Sequence, residues 1–287
     1  MSYLVARANK VFDSQPPPDD AQALSVNGSS WLWAVTAVFL FSFLVILALT
    51  LRPRYGERVF HYIFSTTILV GAIAYYTMAA DKAWLVIPQA NNLDNGAARQ
   101  MFWAKFVYWV VSFPACVLSL GLVSGVTWAS ITYGVLFSWV WVIAYLGAAA
   151  TTTNYKWGYY TIGTVAWLIL VLGSFTIGRT SAARLGVSGH YLLLAGWVNL
   201  IWLLYPIAFG ISDGGNVIGI TQSFIFYGIL DILLIPVLAF ATIGLSYQWD
   251  YAKMGLHFTR SGRGYEGPYD EKAAAPAPTN GTNGAEV

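Results

Sequence analysis

Apolar residues along the chain fall into seven long runs separated by short polar breaks. The runs cover Trp31 to Leu51, Val59 to Ala80, Met101 to Leu122, Thr127 to Ala149, Gly158 to Gly178, Gly189 to Ile211 and Val217 to Leu245. Each is near the ~20 residues that a helix needs to cross a bilayer, allowing for tilt. The alternation of a membrane barrel is absent, and a backbone in lipid must satisfy its own hydrogen bonds, so the runs predict helices. The pattern predicts an all-α membrane protein, a seven-transmembrane-helix bundle over residues 31–248. Residues 1–30 read as a polar extracellular tail. Residues 249–287 read as a cytoplasmic, largely disordered tail, because their end is mostly Ala, Pro, Asn, Gly and Thr.

The breaks carry turn chemistry. Arg52-Pro53-Arg54-Tyr55-Gly56 follows the first run, and Pro88 to Gly96 holds Asn91, Asn92, Asp94 and Asn95, which predicts an exposed turn-rich loop. Ser212-Asp213-Gly214-Gly215-Asn216 reads as a tight loop before the last run. Basic residues set the orientation. Arg52, Arg54, Arg58, Arg179, Arg184, Lys253, Arg260 and Arg263 fall at one end of a seven-span bundle, predicted to be cytoplasmic. Lys82, Arg99 and Lys156, with Arg7 and Lys10 in the tail, fall at the other. The amino terminus is then outside, as is the sequon Asn27-Gly28-Ser29, while Asn280-Gly281-Thr282 is cytosolic. The first 30 residues hold Pro16-Pro17-Pro18-Asp19-Asp20 and no apolar signal-peptide core, so insertion is expected to rely on the first span.

Composition sharpens this picture. Of 287 residues 57% are hydrophobic and only 10% charged, against about 25% charged in soluble domains. A net charge of +2 gives no footprint for nucleic acid. The single cysteine, Cys116, excludes an internal disulfide and sits in an apolar run as inert packing. His61, His190 and His257 lie near membrane edges or in the tail without metal-ligand spacing, and no nucleotide-binding glycine loop appears, so no enzyme chemistry is expected. Gly121 and Gly125 form a GxxxG, a weak signal for close helix packing.

Ionisable residues at membrane depth are the functional candidates. Two lie well inside the runs, Asp231 in the seventh and Lys105 in the third. They are expected to pair across the bundle, with Tyr108 and Tyr205 as hydrogen-bond donors to Asp231. A pair that merely fixes helix packing and one that serves transport or binding are both open. Trp109, Trp202 and Tyr205 fall in span interiors, where they either fill the core or line a flat ligand's pocket. Pro114 and Pro206 interrupt spans three and six and free backbone carbonyls.

Helix six reads Trp202-Leu203-Leu204-Tyr205-Pro206, helix seven Tyr227-Gly228-Ile229-Leu230-Asp231-Ile232-Leu233-Leu234-Ile235-Pro236, and helix three Lys105-Phe106-Val107-Tyr108-Trp109 through Pro114. With the Ser212 to Asn216 loop and the seven runs, these motifs resemble microbial-type rhodopsins of the fungal branch over Trp31 to Leu245. The resemblance implies a microbial rhodopsin-like bundle with a vestigial retinal pocket of Trp109, Trp202, Tyr205, Pro206, Phe209 and Ile235. It also exposes departures. The family's Schiff-base lysine lies four residues after the helix-seven aspartate, where this chain has Ile235. The helix-three carboxylate of the pumps is Tyr108, their cytoplasmic proton donor is Ser119, and their helix-three arginine is Lys105. Of the proton-handling groups Asp231 alone remains. A Schiff base displaced to Lys105 is disfavoured, because imine formation needs a neutral amine.

This combination resembles the fungal opsin-related proteins that keep the opsin fold without the retinal lysine. These include heat-shock and stress-induced plasma-membrane proteins implicated in restraining the plasma-membrane proton ATPase. The resemblance therefore implies a non-photochemical, stress-associated protein of the plasma membrane, with membrane lipids and a membrane partner such as the proton ATPase. Homo-oligomers are left open. No cofactor is expected, and covalent retinal is not expected because Ile235 has no amine. Two rival readings stand beside it. One is an ion transporter or channel centred on Asp231 and Lys105, with Ser112, Thr66 and Thr67 alongside. The other is a sensor of a non-covalent apolar ligand, a retinoid or sterol, unless Ile235, Phe113 and Phe209 fill that volume.

Overall fold

The computed structural model describes residues 21–53 and 57–256. Residues 1–20, 54–56 and 257–287 lie outside it. With them lie the proline run, Arg7, Lys10, Arg54, His257, Arg260, Arg263, the Asn280 sequon and most of both expected tails.

Among the described residues, seven helices long and apolar enough to cross a membrane run Val26–Leu49, Val59–Ala79, Ala104–Ser124, Trp128–Ala150, Lys156–Leu185, Ser188–Gly214 and Ile220–Ser246. They are called spans one to seven. Apolar side chains such as Phe41, Leu44, Ile143, Leu172 and Leu193 point outward. A surface of that kind needs lipid around it, and the chain is an integral membrane protein. Consecutive spans pack side by side, and span seven closes the ring against spans one and six.

The expected boundaries shift where local chemistry intervenes. Span one begins at Val26 rather than Trp31, because the Ser25 side chain caps the helix by accepting from the Gly28 amide at 3.1 Å. Asn27 is thus exposed in the first helical turn. Span five runs on to Leu185 through a π-helical turn at Ser174–Gly178, and Gly186 ends it with φ +78°. Span six continues past Phe209 through a second π-helical turn at Gly210–Gly214. Span seven is two helices, Ile220–Leu234 and Pro236–Ser246, joined at Ile235. Pro236 cannot donate to the preceding turn, so the helix restarts there. Pro114 and Pro206 leave their helices continuous.

Two expectations need correction. The loop after span two is not simply turn-rich. Trp84–Pro88 (β2) and Ala98–Phe102 (β3) form an antiparallel hairpin, with Trp84 opposite Phe102, and Ala21–Gln22 (β1) adds a parallel strand on the other side of β3. All of β3 is buried, so the sheet is a lid on one end of the bundle. At the other end the packed domain extends beyond residue 248. Trp249, Tyr251, Met254 and Leu256 are buried, the Trp249 indole donates to His190 Nδ1 at 2.9 Å, and both Trp249 and Tyr251 meet Phe60 edge-on.

Candidate functional site

Asp231 sits on the inner face of span seven and is fully buried. Neutral donors on three helices surround it. The Tyr205 hydroxyl of span six donates to Oδ1 at 2.5 Å, and the Trp109 indole of span three donates to the same oxygen at 3.2 Å. The Tyr75 hydroxyl of span two donates to Oδ2. The expected bond from Tyr205 is therefore present. The one expected from Tyr108 is not, and Tyr75 holds that place. Tyr108 packs beside it, edge-on to Phe39 and 6.1 Å from the Tyr75 ring. Gly71 allows this approach, because a side chain there would collide with Phe39 and Tyr108.

The pairing of Lys105 with Asp231 is overturned. Lys105 makes its ion pair with Asp213 Oδ2. Lys105 sits one helical turn before Trp109, the span-three donor to Asp231, and at that level it meets Asp213 instead. Tyr227, one turn before Asp231, fills the space between. Its ring lies 4.7 Å from Lys105 Nζ and 5.1 Å from the Trp109 ring, and its hydroxyl pairs with Ser212 at 3.0 Å.

Asp213 is the residue that sequence reasoning misplaced. The second π-helical turn carries it inward, where three cations converge. Besides Lys105, Arg99 Nε of β3 approaches Oδ1 at 3.5 Å, and Lys156 Nζ donates to the Asp213 carbonyl at 3.3 Å. All four residues are buried. The surplus donors find neutral acceptors. Arg99 bonds the Ile218 carbonyl at 2.7 Å, Gln22 Oε1 at 3.0 Å and Ser223 Oγ at 3.1 Å, and Lys156 bonds Gln89 Oε1 at 3.3 Å. The adjoining Asn216, in the left-handed region at φ +55°, donates to the carbonyls of Asn92 and Gly96, each at 3.1 Å. The loop between spans six and seven is thus fastened to the lid. Asp81, also left-handed at φ +50°, lies under the same lid and accepts from Gln100 Nε2 at 2.8 Å. Burial pushes its carboxyl above the usual range, and the Gln100 bond opposes that only in part.

Of the residues expected to line a vestigial pocket, Trp109, Trp202 and Tyr205 gather around Phe113, and Phe209 does not join them. Phe113 lies 5.8 Å from Trp109, 5.8 Å from Trp202, 5.1 Å from Tyr205 and 4.7 Å from Trp141. Trp109 meets Tyr205 edge-on at 5.4 Å. Phe209 is drawn away to Tyr145, at 4.4 Å, and to Tyr160. Pro206 is buried in span six, and the Tyr160 hydroxyl donates to its carbonyl at 3.2 Å. Ile235 is fully buried at the break in span seven. A flat ligand between Trp109 and Trp202 would have to displace Phe113. Among the described residues no group of three His, Cys, Asp or Glu side chains forms a metal site.

Comparison with known proteins agrees with this architecture. The family model described as bacteriorhodopsin-like protein matches residues 27–246. Protein FDD123 of Trametes versicolor is 37% identical over 276 residues, covering 94% of this chain and 95% of that protein. The 30 kDa heat shock protein of Saccharomyces cerevisiae is 29% identical over 254 residues, covering 80% of this chain and 75% of that protein. Among solved structures, the light-driven proton pump rhodopsin of Coccomyxa subellipsoidea superposes with a TM-score of 0.74 at 27% identity, over 78% of this chain and 98% of that one. With the profile spanning all seven helices and a fungal relative matching nearly end to end, the chain belongs to the bacteriorhodopsin-like family, among its fungal opsin-related members.

Proposed function

We propose that this is a non-photochemical opsin-related protein of the plasma membrane, engaged in stress response through a membrane partner such as the proton ATPase. One observation carries the first half. At the position where the family resemblance expects an amine, Ile235 is sealed in the bundle, and Asp231 is satisfied by Tyr75, Tyr205 and Trp109 with no cation against it. A Schiff base needs the amine, and a pump needs a carboxylate free to exchange its proton with that base. The stress role draws on likeness to the 30 kDa heat shock protein. Arg52, Arg58, Arg179, Arg184 and Lys253 gather at the end opposite the lid, which supports an orientation with the lid outside and the carboxyl terminus in the cytoplasm.

The packing of Phe113 against three pocket rings and Trp141 argues against a non-covalent retinoid or sterol, and the closed hydrogen bonding of Asp231 argues against an ion path. The test is to purify the protein with all-trans retinal and record its visible spectrum. No band is expected; a hydroxylamine-sensitive band would mean a Schiff base on another lysine and would end this reading. The partner is tested separately, in plasma-membrane vesicles from heat-stressed cells with and without the protein. ATP-driven proton uptake should be higher without it, and equal uptake would remove the ATPase from the proposal.

A further inference from the structure

A second feature lies far from Asp231, at the end of the bundle opposite the lid. Spans three, four and five enclose an apolar slot of about 140 Å³ there, walled by Val117, Leu120, Ile131 and Leu170 and reaching Trp202 at its inner end. A cavity of about 150 Å³ lined by apolar side chains is large enough for a benzene. Small residues leave the room. Gly134 sits against Val117 and Gly121 against Ile131, whereas a Cβ on Gly173 would meet nothing within 4 Å. The first π-helical turn borders the slot and is held by the Tyr191 hydroxyl, which donates to the Ser174 carbonyl at 2.8 Å. At the rim, Tyr133 and Ile177 are exposed on the lipid-facing surface.

The slot is continuous with a wider polar cleft. The two share Val126, Ser130 and Ile177 as walls, and the cleft adds Thr127, Thr180, Arg179 and Arg184. Both arginines are exposed, and among the described residues neither is in an ion pair. Arginine is always charged and matches phosphate oxygens with a planar fork of donors. A positive-inside bias accounts for arginines at this end, but not for their meeting hydroxyls directly above an apolar slot.

From this juxtaposition we infer that spans three to five form a binding site for an anionic phospholipid, its phosphate and headgroup in the Arg179–Arg184 cleft and a length of acyl chain in the slot beneath. Each end selects its part of the ligand. The cleft favours net negative charge over a zwitterion, and the slot requires a chain. A lipid seated there would bridge the short connection between spans three and four and the π-helical turn of span five.

The test uses the full chain in detergent, with lipid retention read by native mass spectrometry. Dioleoylphosphatidylserine and dioleoylphosphatidylcholine are added at matched concentrations, with glycerophosphoserine as a chain-free competitor. The wild type should retain phosphatidylserine about 10- to 30-fold more tightly, the discrimination expected of two arginines at a membrane surface. Arg179→Ala/Arg184→Ala should abolish the preference and leave weak, equal binding. Gly173→Leu, which adds bulk at a slot-lining position where a Cβ meets nothing within 4 Å, should weaken both lipids, and glycerophosphoserine should fail to compete. Equal retention of the two lipids by the wild type would overturn the proposal. So would effective competition by glycerophosphoserine with Gly173→Leu unaffected, which would mean a headgroup-only anion site.

Discussion

Removing the Asp213 carboxylate tests how charge is distributed inside this bundle. Asp213→Asn deletes the one carboxylate that pairs with Lys105 and Arg99 among the described residues and leaves Lys156 alongside them, so three buried cations lose their paired anion. Breaking a buried pair by removing one partner costs about 3–5 kcal/mol, because the remaining charge is stranded. At about 2–4 °C per kcal/mol for a domain of this size, the thermal midpoint should fall by roughly 6–20 °C. Lys105→Met should be milder, since Asp213 keeps Arg99 at 3.5 Å, and about half that loss is expected. The decisive quantity is the coupling. A double-mutant cycle for Lys105→Met with Asp213→Asn should give an interaction of about 1–3 kcal/mol, as for residues in one ion-pair network. The same cycle with Asp231→Asn should give a clearly smaller coupling, because Tyr227 lies between that carboxylate and Lys105 and the two are not in an ion pair. Equilibrium unfolding in mixed micelles, followed by circular dichroism, measures both cycles. A Lys105–Asp231 coupling larger than the Lys105–Asp213 coupling would refute the arrangement.

Two further outcomes follow from the same geometry. Tyr75→Phe should destabilise more than Tyr205→Phe in thermal unfolding, because Tyr75 is the one described donor to Asp231 Oδ2 whereas Trp109 still serves Oδ1 after Tyr205 is lost; each hydrogen bond to a charged group is worth about 1.5–3 kcal/mol. Asp81→Asn should stabilise the protein at neutral pH. Burial raises the folded-state carboxyl above its unfolded value, so the ionised form is a burden above the folded pKa, and that burden lifts as pH falls through it. The gain from Asp81→Asn, read as a shift in unfolding temperature, should therefore be largest near neutrality and shrink on acidification; a gain that grows toward acid would contradict the sign.

The seven spans were legible because lipid imposes length and apolarity directly on sequence, and the motifs around Trp202, Tyr205, Asp231 and Trp109 were legible as a family resemblance. The lid was not. Its strands are five residues or fewer, and Ala98–Phe102, with Arg99 and Gln100, reads as polar until it is buried against the bundle. Asp213 was hidden by the glycines after it, which signal a loop. A periodic signal was nonetheless present. Trp202, Tyr205, Phe209 and Ser212 recur at helical spacing, and Asp213 continues that face through a π-helical turn that a strict 3.6 period does not reproduce. Lys105 and Asp231 invited pairing because they were the only charges visible inside the runs. Asp213 decides otherwise, because the second π-helical turn brings it within reach of Lys105.

The two buried carboxylates meet the same difficulty in opposite ways, and this division bears on function. Asp213 is balanced by cations and serves attachment: Lys105, Arg99 and Lys156 come from three separate segments, so their convergence locks spans three, five and six to the lid. Asp231 has no ion pair among the described residues, and its direct partners are dipoles, two hydroxyls and an indole. A cation introduced against it would have to compete with those donors, and a chromophore would have to displace Phe113 from four aromatic rings. The proposal of a non-photochemical protein thus does not rest on the one missing amine at Ile235. Tyr75, Tyr205 and Trp109 close around the carboxylate, and Phe113 packs against the pocket rings, so the interior is built as a fixed core. What remains for interaction is the surface, where the arginines and the slot between spans three and five face the membrane.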